Sequence, residues 1–282
     1  MSVGGRGICF FPFFAIDKYP LMESRNEESF REIIRQVFAN LDKVKLGFET
    51  SNYYRSLEDT YVRTILDVDR FANGRVLKIL EVGAFTGVVS VALSRLGHEV
   101  TAHDVPFVME DAALRDFLSA NKVSMLPFNL KDVPFPLQDN SYDAIIACEV
   151  LEHLSFNPIP VIREFNRALK MSGLCYIATP NQASLVHRYY VFFGKSFANS
   201  VDHYFWAMDP LSAMSVGLHW KEYTKAELVE FFTRNGFMLK NHYFCKYVNN
   251  SGSSFLRRKA IGLVYGMAPQ LMQCQVGMFV KI

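Results

Sequence analysis

Three groups of residues in this sequence have the types and spacing that chemistry needs. The first is Glu81-Val82-Gly83-Ala84-Phe85-Thr86-Gly87, a glycine-bearing turn that follows an apolar run. Glycine there lets the backbone approach a ligand at the carboxyl end of a strand. A helix beginning after the turn aims its N-terminus at the same place. The second is Asp104, twenty-one positions beyond Gly83 and at the end of the next apolar run. An acidic side chain there can accept hydrogen bonds from both hydroxyls of a ribose. A pyrophosphate-bearing dinucleotide asks for G-x-G-x-x-G, whose second glycine clears the phosphate. Phe85 stands at that position, so the turn suits a nucleoside without pyrophosphate. The third group is Glu149, Glu152 and His153. If the chain turns helically there, positions i, i+3 and i+4 share a face, and an imidazole beside carboxylates can accept a proton.

These residues need a scaffold, and the hydrophobic pattern supplies one. Phe30, Ile33, Ile34, Val37, Phe38 and Leu41 recur at helical spacing, in a helix expected from Ser24. Tyr61, Ile65 and Val68 do the same in a second helix expected over 57–69. From there the rhythm becomes strand, turn, helix. Strands are expected at 76–82, 99–103, 123–126, 142–148 and 174–179, with helices at 88–96, at 107–121 and from Asn157-Pro158 to Ser172-Gly173. Buried parallel strands read as continuous apolar runs, as these do. The pattern breaks over 181–221, which is rich in aromatics: Tyr189, Tyr190, Phe192, Phe193, Phe197, Tyr204, Phe205 and Trp206. A stretch this long is commonly a lid or a binding element. Thr224 and Glu227 match a capping box, Gly236 closes that helix, and strands are expected at 237–247 and 275–282 around a helix at 254–267. The expected architecture is α/β: a Rossmann-like, doubly wound, seven-stranded, mostly parallel sheet with helices on both faces. Residues 1–70 form an N-terminal arm and cover helices, and 71–282 the main domain with its aromatic lid insertion.

Bulk properties narrow the partners. The 282 residues carry 30 basic and 28 acidic side chains, a net charge of +2, so nucleic acid is not implied. Five cysteines without a CxxC pair suggest neither a zinc site nor a disulfide framework, and fit reduced thiols in a cytoplasmic protein. The apolar run Ile8–Ile16 is too short to span a membrane, and Pro12 interrupts it. It is expected to pack on the domain. Arg257, Arg258 and Lys259 beside apolar neighbours are expected on the solvated edge of a packed helix, a membrane surface being the lesser reading.

The turn residues resemble the first motif of the class I S-adenosylmethionine-dependent methyltransferases. Glu81, Gly83 and Gly87 match it, and Phe85 departs from its middle glycine. The resemblance continues through Phe135-Pro136-Leu137-Gln138-Asp139-Asn140-Ser141-Tyr142-Asp143, Glu149-Val150-Leu151-Glu152-His153-Leu154, Lys170-Met171-Ser172-Gly173-Leu174 and Thr179-Pro180-Asn181. It covers about residues 76–182, and more loosely 219–247 through His219-Trp220-Lys221-Glu222-Tyr223-Thr224. It implies an antiparallel last strand and S-adenosyl-L-methionine as cofactor. Gly83, Ala84, Phe85 and Gly87 would line its methionine part, Glu81 would lie near its amino group, and Asp104 would hold the ribose. Asn129 and Leu130 would meet the adenine, with Cys148 completing the cofactor contacts. Tyr54 and Arg55 are weaker candidates for closing over its carboxylate.

Methyl transfer to a hydroxyl needs a base, for which His153 is the candidate, oriented by Glu149 or Glu152. In the ubiquinone-biosynthesis O-methyltransferases a Glu-x-x-Glu-His of this spacing is a divalent-metal site, which here would be Glu149, Glu152 and His153. The same triplet occurs widely in class I methyltransferases without metal, and magnesium prefers oxygen ligands, so none is expected. The segment from Thr179 to Thr224 resembles methyltransferases of bacterial glycan and secondary-metabolite pathways. It points to O-methylation of a small hydroxylated metabolite or a sugar or glycan precursor. The rival readings are a nicotinamide-dependent oxidoreductase and a non-catalytic cofactor-binding scaffold.

Overall fold

A computed structural model describes residues 27–47, 53–207, 218–246 and 255–282. The elements run in chain order as α1 (Glu27–Leu41), α2 (Tyr53–Ser56), α3 (Glu58–Ala72), β1 (Lys78–Val82), α4 (Val88–Arg95), β2 (Glu99–Asp104), α5 (Pro106–Met109), α6 (Ala112–Ala120) and β3 (Ser124–Pro127). Then come β4 (Tyr142–Cys148), α7 (Ile159–Ala168), β5 (Leu169–Pro180), α8 (Leu185–Phe192), α9 (Val201–Ala207), α10 (Lys225–Thr233), β6 (Phe237–Cys245), α11 (Phe255–Met267) and β7 (Cys274–Lys281). The seven strands form one sheet in the order β3-β2-β1-β4-β5-β7-β6. β1 is parallel to β2 and β4, while β7 runs antiparallel between β5 and β6. The expected Rossmann-like sheet is therefore present, with its antiparallel last strand inserted before the edge.

Strand alternation sends successive side chains to opposite faces, and two cores result. Ile79, Ala144 and Tyr176 pack with the stripe of α1 (Phe30, Ile34, Val37, Phe38, Leu41) and with Ile65, Val68 and Val91 of α3 and α4. Leu80, Ile145 and Ile177 pack on the other face with Val161 and Phe165 of α7 and Leu228 and Phe232 of α10. The strand order reverses between β1 and β4, where a crevice opens at the carboxyl ends of an α/β sheet.

Several boundaries differ from those the sequence suggests. The helix expected over 107–121 is two helices, because the Asp111 carboxylate accepts the Leu114 N–H and starts a second one. Such side-chain capping competes with helix continuation. The helix expected to close at Ser172-Gly173 ends at Ala168. Lys170–Gly173 belongs instead to β5, whose pairing with β4 shifts register here, with Ser172 at φ 62°. α3 runs to Ala72, three residues beyond the expected end, and closes on Asn73 in the left-handed region. The insertion is not structureless, since it carries α8 and α9. The expected capping box at Thr224 and Glu227 is formed. The apolar run Ile8–Ile16, Cys9, and the side chains of Arg257 and Arg258 lie outside the described residues. Among the described residues, no helix is long and apolar enough to cross a membrane.

Candidate active site

The first turn is built by backbone conformation. Gly83 and Gly87 sit at φ 72° and 74°, in the left-handed region that glycine adopts without strain. A Cβ on Gly83 would come within 2.5 Å of Val150, and one on Gly87 within 2.4 Å of Leu118. The missing side chains thus clear this protein's own packing as well as any ligand. Phe85 is also left-handed, at φ 48°, and its N–H donates to Asp104 Oδ2 at 2.8 Å. Ala84 is buried, and its N–H donates to the His103 carbonyl at 2.9 Å. The turn is thereby laced to the end of β2. Asp104 Oδ1 accepts the Val105 N–H at 2.7 Å. Each carboxylate oxygen can accept a further bond, so the pair suits a ribose diol. Burial raises the Asp104 carboxyl above its ordinary value, against two backbone hydrogen bonds that lower it.

Glu81, on β1 beneath the turn, is buried and accepts from the Ser90 hydroxyl of α4. Burial pushes its carboxyl up to about 8. A carboxyl held protonated by burial ionises when a cation arrives beside it, so it can meet an incoming ammonium. Asn129 is exposed and spends its carbonyl on the Lys131 N–H at 2.9 Å, leaving its amide N–H groups as donors. Leu130 is buried beside it. Cys148 ends β4, with Thr64 of α3 at 3.8 Å from its sulfur, and burial pushes its thiol up.

The next cluster follows β4. Glu149 has φ 54°, and its N–H donates to the Ala178 carbonyl of β5 at 2.8 Å. Leu151–His153 forms a single 3-10 turn rather than an α-helical one, so the i, i+3, i+4 face is not built as expected. Glu152 is fully buried and accepts the Thr179 hydroxyl at 3.0 Å. Burial, first, and their mutual proximity hold the Glu149 carboxyl well above its ordinary range, and burial likewise raises Glu152. His153 is oriented by the Leu218 carbonyl, 3.1 Å from Nδ1, and not by Glu149 or Glu152 as expected. A carbonyl only accepts, so Nδ1 carries the proton and Nε2 is the acceptor. Burial, and then His219, push His153 down to about 4.

His219, with His187, Arg188 and His203 one of the weaker substrate candidates that the sequence offers in or near the insertion, joins this cluster. Its ring stands edge-to-face with His153 at 4.8 Å, and its Nδ1 is 2.9 Å from Glu222 Oε1. Ligand atoms of Glu152, His153 and His219 lie within 4.8 Å of one another. The set implied by the resemblance, with Glu149 in place of His219, is not the one brought together.

Arg63 was missed altogether. It lies half-buried on α3 among Cys245, Tyr176, Tyr243 and Cys274, with Thr60 Oγ1 3.4 Å away. Among the described residues no carboxylate pairs with it within 4 Å, and its charge also acts on Cys148 and Glu149. The sequence signal was slight, a cation set among Tyr61, Val62, Ile65 and Leu66 in a cover helix that also carries Arg70. Tyr54 and Arg55 instead both close on Asp42, Tyr54 at 2.6 Å.

The strand order and the acid-ended turns at β1 and β2 define the class I methyltransferase fold. Residues 80–177 match the family described as a methyltransferase domain. Over 106 residues the chain is 33% identical to the ubiquinone biosynthesis O-methyltransferase of Xanthomonas campestris, a match spanning 37% of this chain and 44% of that protein. The chain thus spans under half the length of the curated relatives it matches. Among solved structures, a SAM-dependent methyltransferase from Methanosarcina mazei superposes with a TM-score of 0.53 at 16% identity, over 76% of this chain and 97% of that one. The magnesium protoporphyrin IX methyltransferase of Synechocystis, solved with bound SAH, gives 0.52 at 12% identity, over 91% and 98%. At those identities the structures speak for the fold, and the sequence match carries the resemblance to the class I S-adenosylmethionine-dependent methyltransferases across 80–177.

Proposed function

We propose that this protein is an S-adenosylmethionine-dependent methyltransferase that methylates an oxygen of a small hydroxylated metabolite or sugar precursor. The observation that carries the reading is the pairing of the left-handed Gly83–Gly87 turn with Asp104 across β1 and β2. Asp104 would hold the ribose, Glu81 the ammonium, and Asn129 with Leu130 the adenine edge. Arg63 is a half-buried cation with no carboxylate partner among the described residues, a state that an incoming anion would relieve. Its charge acts on Cys148 and Glu149 at the end of β4, which supports a role in meeting the cofactor's own carboxylate. The bound cofactor supplies a methyl group on a sulfonium, a good leaving group, so the protein's main contribution is alignment.

The acceptor side is argued from chemistry. The polar groups beyond the end of β4 are His153, His219, Glu149 and Glu152, and a hydroxyl losing a proton needs such neighbours. A groove of about 350 Å³ lined by Gln182, His187, Arg188, Val191, Phe192 and Phe197 opens in the insertion. Its mixture of rings and polar groups suits a ring-bearing acceptor. The similarity to the ubiquinone biosynthesis O-methyltransferase of Xanthomonas supports an oxygen acceptor here.

Calorimetric titration with S-adenosylmethionine tests the reading. Wild type is expected to bind, and Asp104→Ala to bind about tenfold to a hundredfold more weakly, the loss of charge-assisted hydrogen bonds. Equal binding by both would remove Asp104 from the site. Absence of binding by wild type would sink the reading as a whole. His153→Ala is expected to lower turnover with cofactor affinity nearly intact.

A further inference from the structure

We infer that His219, held by Glu222, is the residue that takes the proton from the acceptor hydroxyl, Glu222 being its positioning residue. This rests on the methyl-transfer reading above and assigns its proton acceptor. Two imidazoles face each other at this mouth, and their surroundings differ. His153 Nδ1 donates to a neutral carbonyl, that of Leu218. His219 Nδ1 donates to a carboxylate, that of Glu222. Both leave Nε2 as the acceptor, but only His219 has an anion behind it to stabilise the imidazolium that forms. The side chain of His219 keeps 35% of its surface exposed while that of Glu222 keeps 9%. The ring can therefore meet a substrate, and the carboxylate that orients it is sheltered.

The backbone fixes this arrangement. Asn199, in the insertion, clamps His219 on both sides: its amide donates to the His219 carbonyl at 2.9 Å and its carbonyl accepts the His219 N–H at 3.2 Å. The next N–H, from Trp220, donates to the Glu152 carbonyl at 2.7 Å. The base is thus tied to the insertion and to the turn after β4 together. The titratable groups facing it are Glu222 on its own segment, Glu152 and His153 on the 3-10 turn with Glu149 behind them, and His187 at the start of α8. His187 Nδ1 lies 3.3 Å from Glu222 Oε2, but its N–H is bonded to the Gln182 carbonyl at 3.2 Å, so Glu222 remains free to serve His219. The hydrogen bond that His219 donates to Glu222 raises the imidazole above its ordinary value against burial, with Glu152 adding to the rise. His153 is pushed down to about 4. In the step, the acceptor oxygen gains the methyl group as the carbon–sulfur bond breaks. Its proton passes to His219 Nε2, and the cofactor leaves as a neutral thioether.

The test uses chelator-treated full-length protein. Nitrogen-15 histidine spectra with S-adenosylhomocysteine present should show His219 unprotonated at Nε2 at mildly alkaline pH. Its protonation midpoint should lie above that of His153, fall in Glu222→Gln and return in Glu222→Asp. Methyl transfer from labelled S-adenosylmethionine to a catechol and to a pool of hydroxylated metabolites is the kinetic arm. His219→Ala should lose about 10²–10⁴-fold in kcat with cofactor affinity within about twofold of wild type, the span of an ordinary mutational background. The acidic limb of the Glu222→Gln pH profile should move to lower pH, a shift that a merely structural role would not cause. A reversed midpoint order, midpoints untouched by Glu222→Gln, or full turnover in His219→Ala overturns the assignment. Turnover lost on chelation and restored by a divalent cation also overturns it. Failure of wild type to bind S-adenosylmethionine overturns the methyl-transfer reading first and this assignment with it. Binding and turnover that survive in His219→Ala overturn this assignment alone.

Discussion

At the scale of single residues, Glu81 shows how a site can be held ready at a cost. Its folded carboxyl titrates at about 8 because it is buried. An unfolded chain would release that proton near the ordinary glutamate value, about 4.3. Between those two values the folded state binds more protons than the unfolded one, so its stability falls as pH rises through the window. Glu81→Gln removes this loss. Its thermal midpoint is expected to match wild type near pH 5 and to exceed it at pH 8 by the equivalent of a few kcal/mol. Melting curves at the two pH values check this, and a gain independent of pH would show that packing, not charge, is involved. The same substitution should weaken S-adenosylmethionine binding, because the residue proposed to meet its ammonium can no longer ionise when the cation arrives.

At the scale of elements, Asp111 joins two pieces of the scaffold. One carboxylate oxygen caps α6 through Leu114 at 2.8 Å, and the other accepts the Gly47 N–H, beyond α1, at 2.7 Å. Asp111→Ala is expected to cost about 1–2 kcal/mol, the usual loss of an N-cap, and to lower the thermal midpoint by roughly 2–8 °C. Asp111→Asn keeps a capping oxygen and should lose less. Equal losses in the two variants would mean the negative charge matters more than the cap. The sequence pattern located the helix here but not its division, because an apolar stripe continues across Asp111 while the cap itself depends on where one side chain bends. The end of α7 was misplaced for a related reason. Ser172-Gly173 has the residue types of a helix stop, yet the left-handed Ser172 serves a register shift inside β5.

At the scale of the whole molecule, the polar groups gathered at the carboxyl edge of the sheet shape its pH stability. Asp104, Glu149 and Glu152 are raised chiefly by burial, as Glu81 is. They act together to lower stability as pH rises above the ordinary carboxylate range. His103 and His153 are held at about 4 by burial, while in the unfolded chain they would take up protons below about 6.5. Their contribution is present above that value and lost as pH falls towards 4. Above pH 6.5 only the carboxyl loss operates among these groups. Denaturant midpoints are therefore expected to decline from pH 6.5 to 8, and saturating S-adenosylmethionine, a cation at sulfur and nitrogen, should reduce that decline. A midpoint that rises across this range would contradict the burial of these carboxyls.

The sequence by itself determined the strands, most of the helices that flank them and the first half of the candidate site. Local patterning is enough for these: continuous apolar runs for buried parallel strands, glycines where the backbone turns left-handed, and an acid at the end of β2. The Glu81, Gly83, Gly87 and Asp104 group lies on two neighbouring strand ends, so short-range spacing reveals it. The second half was decided by the tertiary structure. His219 meets His153 only because the chain returns after the insertion and lays the Trp220 N–H on the Glu152 carbonyl. Arg63 reaches the ends of β4 and β6 only because α3 packs across the sheet. Contacts between residues tens of positions apart depend on how elements cross, which no local periodicity encodes. Burial then set the ionisation of those side chains, and it too exists only once the chain has closed around them.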